Sequence, residues 1–146
     1  MYRVAATITN QAQKAMKRYD DAARAGVVAS SQHLLNELKK AYQDYYTSGD
    51  FRSTLQIRQA LRRADPAKDD KGWYTIVGVP TASVTPKGQD KPVDRGLVAL
   101  GWELGHYNVF LRKKVRMQIA VPTALQAAEG MRKAWARVVK RYMEAP

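Results

Sequence analysis

The chain has 146 residues, about the length of one average domain, and its 25 Lys and Arg against 13 Asp and Glu give a net charge of +12. It contains no cysteine, which excludes disulfides, thiolate metal sites, iron–sulfur clusters and cysteine nucleophiles. The 45% hydrophobic content is typical of a globular protein rather than of a disordered polycation. No apolar run reaches the roughly 20 residues that span a bilayer, and the first residues lack a secretory apolar core. We therefore expect one basic cytoplasmic domain that has no membrane segment.

A long N-terminal helix is predicted from about Asn10, which can cap it, to Tyr46. Gly26 within it costs roughly 1 kcal/mol relative to alanine, which predicts a bend or break near Ala25–Gly26. Thr47–Asp50 ends the helix, and we expect its leucine-rich second half to pack more deeply. The helix is predicted from apolar and small residues that recur every 3.67 positions on average, at Ala12, Met16, Tyr19, Ala23, Val27, Ser30, Leu34, Leu38, Ala41 and Tyr45.

The middle of the chain is predicted to form strands. Trp73–Pro80 is rich in β-formers, and Leu97–Leu104 is predicted as its returning strand. Thr81–Gly96 between them holds two prolines and two glycines, which predicts a long exposed loop at the hairpin tip. Val109–Val121 contains an alternation typical of a third strand with one solvated face. Phe51–Ala64 fits either a short strand with a helical turn or a helix of about three turns.

A second helix is predicted at the end of the chain, with Pro122 at its first position and an end near Met143. The predicted fold class is therefore α+β: a small antiparallel β-sheet with a long hairpin loop, packed by a long N-terminal helix and a C-terminal helix within a single domain over residues 1–146. The apolar face of the last helix is predicted to hold Leu125, Ala128, Met131, Trp135, Val138 and Tyr142.

The sequence contains no recognisable catalytic motif. His33 and His106 are not spaced with a carboxylate as metal-binding histidines are, and Asp69–Asp70 has no third ligand nearby. No glycine pattern cradles a phosphate, and no serine lies in a nucleophile elbow. We therefore expect no enzyme activity, no cofactor and no metal. An enzyme with a dispersed site stays an alternative, and it predicts a deep pocket holding His33 or His106.

Positive charge is concentrated toward the end of the chain, where nine basic and two acidic residues follow from Phe110 onward. No zinc-finger, helix-turn-helix or RNP-type motif accompanies this charge, so any nucleic-acid contact would be to phosphates and independent of sequence. The alternative is an ordinary solvated surface. The candidate contacts for an acidic partner or DNA are Lys133, Arg137, Lys140 and Arg141 of the last helix, together with Arg112, Lys113 and Lys114.

Two short motifs and the order of elements carry a family resemblance. Thr47–Ser53 (TSGDFRS) stands after the long helix as a Thr-Gly-x-Leu-Arg-x-Ser-like turn. Gly101–His106 (GWELGH) stands where that pattern has a strand that ends in an aromatic–Glu–apolar–Gly step. In these features the chain resembles the head–tail joining, or tail-completion, neck proteins of long-tailed bacteriophages. It departs from them at Ile119–Leu125 (IAVPTAL), where that family has a Pro-Phe-Leu-Arg-Pro-Ala-like segment.

The resemblance implies a structural virion protein of the phage neck, assembled in the host cytoplasm. Such proteins form rings of six or twelve subunits between the portal-side head connector and the tail terminator or tail tube, with genomic DNA in the lumen. The alternative drawn from the residues alone is a sequence-independent, basic nucleic-acid-binding module. On the resemblance we assign inter-subunit or lumen contacts to the loop Thr81–Gly96, and Glu103 is a candidate for a salt bridge between subunits. The charged residues assigned to the subunit interface are Lys87, Asp90, Lys91, Asp94, Arg95 and Glu103.

Overall fold

The computed structural model describes residues 2–49, 57–80, 83–84, 90, 93–108, 112–115 and 118–145. Its described part confirms the α+β class, with a long N-terminal helix, a C-terminal helix and short antiparallel strands between them. The helices are α1 (Tyr2–Gly49), α2 (Arg95–Leu104) and α3 (Ala120–Glu144).

In the described part of the chain, the strands are two or three residues long and associate in four separate antiparallel pairs. An Asp70–Lys71 turn joins the second and third strands, and Gly72 follows it at a φ of 120° that favours glycine. The pairs are β1 (Arg62–Arg63) with β4 (Val77–Gly78), β2 (Ala67–Asp69) with β3 (Gly72–Tyr74), β5 (Ser83–Val84) with β6 (Val93–Asp94), and β7 (His106–Asn108) with β8 (Lys113–Val115).

Helix α1 begins at Tyr2, so the predicted start with Asn10 as its cap is wrong. The helix is also continuous through Gly26, so the break that was one of the two predicted forms at Ala25–Gly26 is wrong. The glycine serves a close approach to α3, because a Cβ at Gly26 would lie 2.6 Å from two ring atoms of Trp135. The relation is reciprocal, since a Cβ at Gly130 of α3 would lie 2.2 Å from Nε2 of His33. Each helix therefore places a glycine under a ring of the other.

Helices α1 and α3 pack antiparallel over most of the length of α3. Tyr19 and Met143 line a common depression, Gly26 lies under Trp135, and His33 lies over Gly130. The residue numbers of the two helices run in opposite directions along these contacts. Residues 10–19 of α1 lie beyond or beside the end of α3, and all of them are exposed.

The buried core lies beside the second half of α1, as the leucine-rich half predicts. The predicted stripe along α1 is displaced from the buried face, since Met16 and Tyr19 are 71% and 62% exposed while Ala22 and Leu35 are buried. The displacement arises because α1 packs against α3 on one side and against the following segments on another. The core cluster consists of Leu35, Leu38, Tyr42, Ile57, Leu61 and Ile119.

Leu97–Leu104 is helical, so its prediction as a returning strand is wrong. Asp94 determines this locally, because its Oδ1 accepts hydrogen bonds from the backbone N–H groups of Gly96 and Leu97 at 2.8 and 3.2 Å. Gly105, at a φ of 94°, follows the last turn. A mostly apolar segment of eight residues, broken only by Glu103 and without alternation, is compatible with both structures, and the capping residue Asp94 distinguishes them.

The other predicted strands are shorter than expected. Trp73–Pro80 is divided between β3 and β4, which belong to different pairs. Among the described residues of Val109–Val121, which are 112–115 and 118–121, only β8 is a strand, and Ile119 is a core residue immediately before α3. Within Phe51–Ala64, residues 57–60 are helical and precede β1, as in one of the two predicted forms, while residues 51–56 lie outside the described part.

The predictions of a continuous loop over Thr81–Gly96 and of Pro122 as the first residue of the last helix are also wrong. Thr81–Gly96 is not a continuous loop, since it contains β5, β6 and the start of α2; of its other residues, only Asp90 is described. Helix α3 begins at Ala120, which makes Pro122 its third residue rather than its first. On that helix Leu125 is 73% exposed rather than buried with the predicted apolar face.

Candidate partner-binding surfaces

The cations predicted as contacts on the last helix lie on the exposed side of α3. Lys133 pairs with Glu129 at 3.6 Å and Lys140 pairs with Glu144 at 3.7 Å. Within the described part of the chain, Arg137 has no acidic partner, and neither has Arg141. The two lysines are partly neutralised by their own helix, so the two arginines carry most of the charge available to an external anion.

The second predicted basic cluster lies at the other end of α3. Arg112, Lys113 and Lys114 are exposed on the β7–β8 hairpin. This hairpin follows α2 directly, and α2 contacts the first turn of α3 through Glu103. Arg137 is about 25 Å farther along α3 at 1.5 Å per residue, whereas a three-residue strand spans about 10 Å. The two clusters are therefore separate surfaces.

Of three further cations on α1 that the charge clusters of the sequence do not include, two lie beside the C-terminal end of α3. Lys14, Lys17 and Arg18 are exposed and have no acidic partner among the residues described. Lys14 and Arg18 line a depression of about 320 Å³ together with Met143. The sequence shows that the three cations are close together in the chain. Only the antiparallel packing of the helices places Lys14 and Arg18 beside α3.

The residues predicted as subunit contacts are only partly described. Asp94 caps α2 and Glu103 contacts the start of α3, so both carboxylates bind within the chain. Asp90 is exposed. Lys87 and Lys91 lie outside the described residues, as does the side chain of Arg95. Their contact with a second subunit stays a prediction.

Glu103 caps the N-terminus of α3 from a distance of 16 residues in sequence. Its Oε1 accepts hydrogen bonds from the backbone N–H groups of Ile119 at 2.7 Å and Ala120 at 2.5 Å, and its Oε2 accepts one from Val121 at 3.4 Å. Ile119 has no side-chain acceptor for this end of the helix. Burial, and secondarily the charge of Glu103, raises the pKa of the nearby Tyr42 to about 12.

Helix α2 presents a row of leucines to solvent. Leu97, Leu100 and Leu104, spaced three and four residues apart, are 66%, 51% and 69% exposed. The opposite side of the helix faces inward, where Ala99 packs against the core and Glu103 caps α3. We call Leu97, Leu100 and Leu104 the leucine face. Val121 and Leu125 of the adjacent α3 N-terminus are also exposed.

A polar cluster attaches the β2–β3 hairpin to α1. Asp20 Oδ1 accepts hydrogen bonds from Lys68 Nζ at 2.5 Å and from the indole Nε1–H of Trp73 at 3.0 Å. Arg24 and Lys68 each lie 5.6 Å from the centre of the Trp73 ring, within the range of cation–π attraction. The hydrogen bonds from Lys68 and Trp73 lower the pKa of the Asp20 carboxyl below its usual value of 3.8.

The Trp73 indole resonance should report the protonation of Asp20. Because the folded-state pKa of Asp20 is lowered, its hydrogen bonds stabilise the hairpin contact at pH values above 3.8 and are lost as the pH falls through the lowered pKa. In ¹H–¹⁵N spectra we expect the Trp73 Nε1–H signal to move with a midpoint below pH 3.8, and Asp20→Asn to abolish that transition. The Trp135 signal is the internal control. A Trp73 midpoint at or above 3.8 would contradict the assigned contact.

Two of the residues considered for catalysis, His33 and Asp69, make packing or turn contacts within the fold. His33 packs over Gly130, and Asp69 Oδ1 accepts a hydrogen bond from the backbone N–H of Lys71 at 2.8 Å within the β2–β3 turn. The side chain of His106 lies outside the described part. Across the residues that are described, no group of three His, Asp or Glu side chains is placed to hold a metal ion.

Comparisons with known proteins supply no relative for this chain: no family model, curated protein or solved structure matches it. In the described ranges, none of the helices has the length and apolar character needed to cross a membrane.

Proposed function

We propose that this chain is a non-enzymatic structural protein of a phage neck, forming a ring that joins the DNA-filled head to the tail. The observation that carries the proposal is uncovered apolar surface. Among the described residues, eleven large hydrophobic side chains are exposed, whereas nine hydrophobic side chains are buried. Folded chains leave grouped apolar side chains in water mainly where a partner covers them, so this surface supports a role in assembly.

The positions of the exposed groups support a head-to-tail arrangement. The leucine face lies beside the N-terminus of α3, while Met16 and Tyr19 lie near its C-terminus, at the opposite end of the helix pair. Two different patches at opposite ends favour heterologous contacts, which generate a ring when the rotation between subunits closes. The sequence motifs at Thr47–Ser53 and Gly101–His106 connect such a ring with the neck proteins that the sequence resembles, although Gly101–Leu104 lies in α2 rather than at the end of a strand.

The proposal is tested by removing the protein from an infected cell. With translation stopped at Gln13, electron microscopy of the lysate should show filled heads and separate, finished tails, because the joining ring is missing. Native mass spectrometry of the purified protein should show six or twelve subunits, with Leu97→Glu and Leu100→Glu disrupting the assembly. Intact infectious particles from the stop-codon genome would contradict the neck assignment.

A second candidate function is sequence-independent binding of nucleic acid. It is favoured by exposed Arg112, Lys113 and Lys114 and by Arg137 and Arg141, which have no acidic partner among the described residues. It predicts tight binding of duplex DNA by the free subunit. The logarithm of its affinity should fall with the logarithm of salt concentration by about 0.9 per phosphate neutralised. Weak binding by free subunits, at any salt concentration, would favour the neck role.

A further inference from the structure

One row of α1 side chains lines two neighbouring depressions. Successive members are three or four residues apart, so they lie on one side of the helix. The row spans 21 residues and about 32 Å at 1.5 Å per residue, and the two depressions form one track along it. We call this track the α1 groove; its row consists of Gln11, Lys14, Arg18, Asp21, Ala25, Val28 and Gln32.

Helix α3 forms the other wall of the α1 groove. Met143 lines the first depression, of about 320 Å³, and Val138 and Tyr142 line the second, of about 640 Å³. Small or aliphatic side chains, among them Ala25 and Val28, form the floor of the second depression. A floor of this kind allows the backbone of another segment to approach closely, and it favours an apolar side chain over water.

The spacing and length of the groove match a helix. A row with steps of three and four residues is the pattern by which one helix receives the side chains of a facing helix. Six turns of α1 are exposed to such a partner, far more than a small molecule covers. The shape therefore selects an amphipathic helix as the occupant.

The charges along the groove determine the chemistry of that helix. Lys14 and Arg18 line the first depression, and neither has an acidic partner in the part of the chain described. In the second depression Asp21 and Arg24 lie on the same wall and offset each other's charge. The occupant must therefore supply carboxylates at the end of the groove that contains Gln11, Lys14 and Arg18.

The charges of the α1 groove and its apolar floor also distinguish between the classes of partner that could bind there. A second copy of this chain carries the same α1 cations and a net charge of +12, so it brings like charge to the basic end. A nucleic acid would neutralise Lys14 and Arg18 but leaves the floor at Ala25, Val28 and Val138 without an apolar contact. An acidic amphipathic helix supplies carboxylates to Lys14 and Arg18 at one end of the groove and apolar side chains to the second depression at the other end.

We propose that the α1 groove is the docking site for an amphipathic helix of a partner protein, acidic where it meets Lys14 and Arg18. This proposal rests on the structural role proposed above. It names the surface of the chain that binds an acidic neighbouring protein in that assembly. The unpaired Arg141, one residue before Tyr142 on α3, adds positive charge at the rim. The leucine face then remains available for contacts between copies of the chain.

The test uses the full chain and a 21-residue helical peptide with leucine and alanine in a heptad row and glutamate at the other positions. A matched peptide carries lysine in place of glutamate. We expect the acidic peptide to bind at least about ten-fold more tightly than the basic one by fluorescence anisotropy. Binding of the basic peptide with equal affinity would overturn the proposal, as would failure of the acidic peptide to bind.

Variants separate docking in the groove from attraction by net charge. Arg18→Glu should weaken the acidic peptide at least about ten-fold, whereas Lys113→Glu, with the same charge change, should leave its affinity within about two-fold. Val28→Glu should weaken it about ten-fold, against Lys113→Gln as the matched control. Should Val28→Glu fail to fold, Tyr142→Ser provides the same test, because this ring is 42% exposed. Equal effects of groove and control variants would overturn the proposal.

Two further measurements identify competing occupants and separate the two proposals. Displacement of the acidic peptide by a 20-base-pair DNA duplex, or by a peptide of residues 10–32, that binds more tightly and is itself weakened by Arg18→Glu would assign the groove to nucleic acid or to a second copy and overturn the proposal. Native mass spectrometry tests ring formation independently. Rings without peptide binding would overturn the groove assignment alone, whereas peptide binding by a permanent monomer would support the groove and contradict the neck ring.

Discussion

Replacing Glu103 with alanine should lower the free energy of unfolding by about 2–3 kcal/mol, because α3 then loses the acceptor for its first backbone N–H groups. The carboxylate accepts hydrogen bonds from Ile119 and Ala120 within the protein, and its negative charge lies at the positive end of the helix dipole. Urea unfolding followed by far-UV circular dichroism measures the effect, and the slope of the transition should not change.

Two companion variants show whether the effect comes from capping. Glu103→Gln keeps an acceptor oxygen but removes the charge, so it should lose only part of the stability. Glu144→Ala removes an exposed carboxylate at the other end of α3, where its one ion pair is with Lys140 at 3.7 Å, and should not change the unfolding midpoint. In Glu103→Ala, hydrogen exchange should accelerate at the amides of Ile119 and Ala120. Equal stability of the Glu103 and Glu144 variants would contradict the capping role.

Replacing Gly26 or Gly130 with alanine should destabilise the protein by about 1–3 kcal/mol, although alanine is the better helix former. A methyl group at Gly26 would lie 2.6 Å from the Trp135 ring, and one at Gly130 would lie 2.2 Å from His33 Nε2. Either the ring or the helix must move, which opens the α1–α3 contact. Thermal and urea unfolding of each variant measure the loss.

Gly101→Ala is the matched control for these substitutions. Gly101 is also helical, and a Cβ there would meet no atom of another described segment within 4 Å, so alanine should stabilise the protein by up to about 1 kcal/mol. The double variant His33→Ala/Gly130→Ala should lose less than the sum of the single losses, because the removed ring leaves space for the new methyl group. Additive losses at His33 and Gly130 would contradict direct packing between them.

At Gly26, helix propensity and tertiary packing lead to different expectations for the same residue. From the sequence, Gly26 predicts a break because glycine weakens an isolated helix. In the fold the same residue lies where Trp135 of α3 approaches the α1 backbone, and the helix continues. The position of Trp135 depends on a segment more than 100 residues away in the chain, so no local pattern contains it.

The candidate contact residues also differ in whether the sequence alone identifies them or the fold is needed. Arg137 and Arg141 were predicted as exposed charges from their spacing on one helix, and their exposure is confirmed. Lys14 and Arg18 were not selected, because their significance depends on lying beside Met143 at the end of an antiparallel partner. Glu103 was predicted to bind another subunit, whereas the fold brings the start of α3 to its carboxylate.

The sequence by itself determined the α+β class, the two long helices and the deeper packing of the second half of α1, because helical periodicity is a short-range property that residues three and four apart express directly. It also determined the large excess of positive charge and the uneven distribution of that charge. Only the tertiary structure decided that Leu97–Leu104 is a helix with an exposed leucine face, and that Glu103 caps α3. It likewise decided that cations of α1 and α3 border one groove, because each of these features depends on which distant segments pack together.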